Sequence, residues 1–125
     1  MKRVPIDLEF LFKASPSILY KFLTTPACLV RWFCDEVEIN KSEFIFIWEG
    51  AEEGAELVED VEDECVKFHM EEYEDDEYLE FRLSKSPVTN ETIMEVRDFC
   101  DEDEVDDQRQ LWESQIERLR REVGG

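Results

Sequence analysis

Apolar and polar residues alternate over the first dozen positions. Ile6, Leu8, Phe10 and Phe12 share one parity, which predicts a strand with one buried face. The alternation stops at Ala14-Ser15-Pro16. Ser15 suits a helix N-cap because its hydroxyl can accept from a free backbone N–H, and Pro16 fits the first turn. A short helix follows, broken at Thr24-Thr25-Pro26. Pro26 opens a second short helix that carries Leu29 and ends in Trp32-Phe33. The helix position of Tyr20 leaves its side chain open between core and solvent.

Strand patterns then succeed one another. Val37 to Ile39 leads into a polar turn at Asn40-Lys41-Ser42. Phe44-Ile45-Phe46-Ile47-Trp48 is apolar on both parities, which predicts a strand covered on both faces and ended by Glu49-Gly50-Ala51. Glu56 to Val61 is a weaker strand interrupted by acids, with a turn at Val61 to Glu64. From Cys65 to Met70, Val66, Phe68 and Met70 face one way and Cys65, Lys67 and His69 the other. Tyr78 to Leu83 repeats this, with Leu79, Phe81 and Leu83 inward. A loop from Ser84 to Asn90 precedes a last strand whose inner face carries Thr92, Met94 and Val96. The short connections predict an antiparallel meander, and the acids at outer positions predict a sheet wet on one side. The period then changes: Val105, Trp112, Ile116, Leu119 and Val123 recur at helical spacing beside Leu111, a helix of about 18–20 residues. Acids from Asp101 to Asp107 and Arg118, Arg120 and Arg121 complement the two ends of its dipole, and Gly124-Gly125 ends it.

With 125 residues the chain makes one domain, 1–125, large enough for a sizeable core. A hydrophobic fraction of 42% separates it from wholly disordered chains despite its charge. No apolar run reaches the ~20 residues of a membrane span, and Met-Lys-Arg leads straight into strand pattern, so a cytoplasmic protein without a membrane span is expected. Cys28, Cys34, Cys65 and Cys100 are scattered without a CxxC pair and read as reduced thiols. The net charge of −20 repels phosphate, which argues against nucleic acid and anionic membranes as partners. A basic protein partner fits that charge.

The order of strand, two short helices, antiparallel meander and long helix is a helix-grip arrangement of the α+β class. Ala14-Ser15-Pro16-x-x-Leu19-Tyr20-x-x-Leu23-Thr24-x-Pro26-x-x-Leu29-x-x-Trp32-Phe33 resembles the opening of START-like domains of the Hsp90-ATPase-activator homologue (AHSA1) group, in the SRPBCC or Bet v 1-like superfamily. Glu91-Thr92-x-x-x-Val96-x-Asp98-Phe99 with Leu111-Trp112-x-x-x-Ile116-x-x-Leu119 is similar to their last strand and long helix, in the style of small Bacteroidetes members. The resemblance covers nearly the whole chain. It implies a curved antiparallel sheet gripping the C-terminal helix, often around an apolar cavity that takes lipids, sterols or aromatic compounds. Such relatives usually carry a glycine-rich hairpin and a basic Pro-x-Arg step in the middle of the chain. Here Glu52-Glu53-Gly54-Ala55-Glu56 and the acids of Glu71 to Glu77 stand there instead.

Catalytic candidates are few. His69, the single histidine, shares a parity with Cys65, but four residues of strand separate them by about 13 Å. Neither acidic cluster, Glu71 to Glu77 or Asp101 to Glu104, has the spacing of a calcium loop. No catalytic, metal or cofactor site is expected, and the chain reads as a non-enzyme. The candidate site is aromatic. Phe46, Trp48, Phe68, Phe81, Met94, Trp112 and Ile116 would line a space between sheet and helix, with Trp32 and Phe33 at one mouth, for a hydrophobic small molecule or lipid. The alternative is that these side chains fill their own core. A Met94→Trp substitution would block a real cavity. The rival function is an acidic module that docks a basic, chaperone-related partner, and an aromatic surface around Tyr73, Tyr78 or Trp48 would support a homodimer.

Overall fold

A computed structural model describes residues 2–125. Strand β1 (Arg3–Phe12) is followed by helices α1 (Pro16–Thr24) and α2 (Pro26–Leu29). Strands β2 (Glu36–Asn40), β3 (Glu43–Trp48), β4 (Ala51–Val61), β5 (Cys65–Met70), β6 (Leu79–Lys85) and β7 (Thr92–Asp101) come next. A single 3₁₀ turn at Glu102–Glu104 leads into the long helix α3 (Val105–Val123). The strands form one antiparallel sheet in the order β1-β7-β6-β5-β4-β3-β2. Consecutive strands from β2 to β7 are neighbours, as short hairpins require, and β1 closes the order by pairing with β7 from Arg3↔Asp101 to Phe12↔Thr92.

The register explains the core. Ile6 and Phe12 of β1, Phe44 and Phe46 of β3, Val66, Phe68 and Met70 of β5, Leu79, Phe81 and Leu83 of β6, and Met94 and Val96 of β7 are all buried on the concave face. Leu19, Leu23 and Leu29 from the short helices and Trp112, Ile116 and Leu119 from α3 pack against them. Ser15 caps α1 by accepting from the Ile18 amide at 3.2 Å. At the other end of the chain, Gly124 adopts φ 83° and its N–H returns to the Arg120 carbonyl. The Gly125 carbonyl accepts from the Lys13 and Ala14 amides, so the end of α3 is tied to the corner between β1 and α1.

Three expectations are corrected. Helix α2 stops at Leu29, and Trp32-Phe33 lie in the turns that follow, where the Leu29 carbonyl accepts from the amides of Trp32, Phe33 and Cys34. Strand β3 is covered on one face only. Ile45 and Ile47 stay half-exposed on the outer side, where their register partners are Glu38 and Gly54, and Glu36 and Glu52. Strand β4 begins at Ala51, five residues earlier than its apolar pattern implies, because Glu49 (φ 49°) and Gly50 (φ 83°) form a left-handed two-residue turn that pairs Trp48 with Ala51. A bulge between Leu57 and Glu59 then leaves Val58 exposed.

Candidate functional site

Of the nine aromatic and apolar candidates, five belong to the packed interior. Phe46 and Met94 are fully buried, Ile116 is 1% exposed, and Phe68 and Phe81 2% each. Their rings interlock edge to face: Phe46 meets Phe68 at 5.7 Å and Phe81 meets Trp112 at 5.7 Å between centroids. The gap bounded by Leu23, Leu29, Trp32, Phe33, Phe68 and Phe81 has no room for a water molecule. Tryptophan at position 94 would therefore overpack a filled core and cost about 1–3 kcal/mol, rather than block a cavity.

The other four candidates border an open cleft, although Trp32, Phe33 and Trp112 are themselves buried and only Trp48 is half-exposed. Trp32, Phe33, Trp48 and Trp112 line a space of about 510 Å³ between the turn after α2, the β3–β4 hairpin and the stretch of α3 from Gln108 to Arg118. Phe33 is the hub, at 5.2 Å from Trp32, 5.4 Å from Trp48 and 6.3 Å from Trp112. The indole N–H groups are turned inward. Trp32 donates to the Phe22 carbonyl at 2.9 Å and Trp48 to the Phe33 carbonyl at 2.6 Å, while Trp112 donates to Asp98 Oδ2 at 2.9 Å.

The polar floor was not foreseen. Asp98, only 2% exposed, stands at an inward position of β7. Its carboxylate accepts from the Tyr73 hydroxyl, from Gln108 Nε2 at 3.0 Å, from Trp112 Nε1 and from the Phe99 amide at 2.8 Å. That donor set meets the requirement for burying a carboxylate. Burial and the Asp98 carboxylate push the Tyr73 hydroxyl upward, so it stays a donor. Glu53 also faces inward, opposite Phe46 in the β3–β4 register, and lines the same cleft. Burial, then the charges of Glu72, Asp98 and Glu71, raise it above the usual carboxylate range. One sequence signal could have found both acids: each occupies the parity of its strand that otherwise carries apolar residues.

Elsewhere the candidates separate. His69 is half-buried, with Nδ1 3.0 Å from the Glu77 carbonyl. All four cysteines are buried and free, and burial lifts the Cys34 and Cys65 thiols to about 11. Asp101, Asp103 and Glu104 sit close together near the start of α3 as a partly exposed acidic group. Tyr20 is half-buried with its hydroxyl donating to Asp60, and burial together with that carboxylate raises it to about 12. Tyr73, Tyr78 and Trp48 do not make one surface, because Trp48 and Tyr73 line the cleft whereas Tyr78 packs on Phe99 with Lys67 Nζ 4.5 Å above its ring. Among the described residues no helix is long and apolar enough to cross a membrane.

An antiparallel sheet wrapped on a long C-terminal helix, with two short helices closing one end, defines the helix-grip class. The START-like superfamily domain matches residues 1–125, and the chain belongs to that family. It is similar over 97% of its length, at 35% identity and TM-score 0.68, to 91% of a Bacteroides fragilis protein solved by NMR in solution. It is also similar in fold to the Aha1 dimer of Colwellia psychrerythraea, at 18% identity and TM-score 0.81 over 96% of both chains. A Mesorhizobium loti protein shares the fold at 15% identity and TM-score 0.75, over 94% of this chain and 95% of its own. Among curated proteins there is no match to the chain.

Proposed function

We propose that this START-like domain is a non-enzymatic binding module, and that its small-molecule ligand sits in the open cleft beside α3 rather than in the centre of the sheet. The observation that carries this reading is the contrast between the two places. The interior is filled, while the cleft offers about 510 Å³ walled by Trp32, Phe33, Trp48 and Trp112. That size and aromatic lining suit a small organic ligand. Binding is favoured over catalysis because Asp98 is committed to four donors and His69 is engaged with the Glu77 carbonyl. Native mass spectrometry of the protein purified from its own host tests this. A stoichiometric adduct that disappears on denaturation supports the reading, and a bare mass under gentle conditions counts against it.

A second reading, an acidic module docking a basic and chaperone-related partner, is favoured by the outer face of β2–β4. Glu36, Glu38, Glu43, Glu52 and Glu56 are exposed there around the half-exposed Ile45 and Ile47, and the three strands contain no lysine or arginine. Retention of a partner at low salt, lost on Glu36→Lys/Glu52→Lys, would support docking. Retention unchanged by that double substitution would remove it.

A further inference from the structure

We propose that the cleft beside α3 selects an organic cation, an alkylammonium with an apolar tail, whose charged head lies between the aromatic wall and Glu53. This rests on the ligand-binding reading above and names the class of ligand.

The aromatic wall offers no hydrogen-bond donor to an anion. All three tryptophan N–H groups are spent on internal acceptors, and Trp48 is the ring left half-exposed, while Trp32, Phe33 and Trp112 are buried. Cations are attracted to such rings through the quadrupole, most strongly where water is excluded. Asp98 has its four donors and needs no ligand charge. Glu53 differs: among the described residues no hydrogen bond or ion pair engages its carboxylate, and the charges acting on it are those of Glu71, Glu72 and Asp98. Arg31 and Arg118 also line the cleft: Arg31 is directed to Glu122 at 3.7 Å, and Arg118 on α3 is exposed to solvent.

Each class of occupant meets this arrangement differently. A neutral lipid would bury the Glu53 charge further with no compensation, and an anion would add a like charge. An ammonium head relieves the carboxylate while its tail covers the rings.

The test is an NMR titration that follows the tryptophan indole N–H signals. The probes are hexyltrimethylammonium, 1-hexanol and hexanesulfonate, which share one tail and differ in the charge of the head. Saturable shifts at Trp48 and Trp112 are expected with the ammonium probe at concentrations where the other two give none. Glu53→Gln should weaken its binding by at least about tenfold, the factor that about 1.4 kcal/mol carries. Glu52→Gln, on the outer face of the same strand, should leave it unchanged. Equal binding of hexanol, or preference for hexanesulfonate, overturns the cation inference and leaves the ligand-binding reading standing. Equal loss in Glu52→Gln and Glu53→Gln also overturns it, because attraction would then come from the acidic surface as a whole. Silence from all three probes overturns it as well, and the native mass spectrum then decides the parent reading separately.

Discussion

Two glutamates show how one residue type takes opposite roles. Glu77 is 4% exposed and holds Arg3 through both oxygens, with Nη2 at 2.9 Å and Nε at 3.1 Å. The guanidinium keeps its carboxyl below the ordinary value of 4.5. It therefore adds stability that is complete above that value and is lost as pH falls through its own depressed one. Glu53 is raised by burial and like charge, so ionising it opposes folding above the ordinary value and costs nothing in acid. Urea melts at pH 7 should show Glu77→Gln less stable by about 1–2 kcal/mol, a figure already discounted for the partial exposure of Arg3. Glu53→Gln should be more stable than the parent at pH 7. The Glu53→Gln advantage should shrink as pH falls from its raised value to 4.5 and the Glu77→Gln deficit only below 4.5, and a Glu53→Gln advantage that persisted below 4.5 would contradict the assignment. Asp98 is a buried acid satisfied by hydrogen bonds. Asp98→Ala strands the donors of Trp112, Gln108 and Tyr73 and should cost about 3 kcal/mol. With Trp112→Phe the double-mutant cycle should be non-additive; additive free energies would separate the two residues.

Among the elements, the parts that obey a simple period were legible from the chain and the parts that obey a turn were not. Helix α3 was readable because its apolar stripe, its charged ends and Gly124 agree, and β5 because its two parities differ cleanly. The end of α2 was hidden because a carbonyl that accepts from three successive amides leaves no mark on the apolar spacing. The start of β4 was hidden by acids, since Glu52 points outward and Glu53 inward, and strand propensity cannot tell a solvated acid from one aimed into a cleft. Half the candidate site suffered likewise. Aromatic residues could be assigned to the concave face, but which of them fill the core and which border open space depends on how α3 and the turn after α2 meet. At this scale the N-cap gives a direct check. Ser15→Ala should cost about 1 kcal/mol in a denaturant melt, because the Ile18 amide loses its acceptor. No change would mean that another acceptor replaces the hydroxyl.

For the molecule as a whole, the division between faces determines how it responds to salt. Thirty-four acids against fourteen bases leave a net charge of −20. The acids crowd the outer positions of β2–β4, the turn at Glu71 to Asp76 and the start of α3. Ion pairs such as Arg97 with Asp7 at 2.7 Å, and Lys67 with Glu59 and Glu80 at 3.5 Å each, oppose that repulsion locally. Salt weakens both kinds of interaction, so the sign of the response depends on which is larger. Surface pairs are worth about 0–1 kcal/mol each, and among the described residues only six of the fourteen lysines and arginines are held in an ion pair. The surplus carboxylates have none, and their mutual repulsion extends over the Debye length, about 30 Å at 0.01 M but about 8 Å at 0.15 M. Repulsion should therefore dominate, and the melting temperature should rise by several degrees between 10 and 150 mM sodium chloride at pH 7. Differential scanning calorimetry measures it directly. A melting temperature that fell with salt would mean that the ion pairs outweigh the surplus charge, and the acidic outer face would then be a stabilising network instead of a surface held in repulsion.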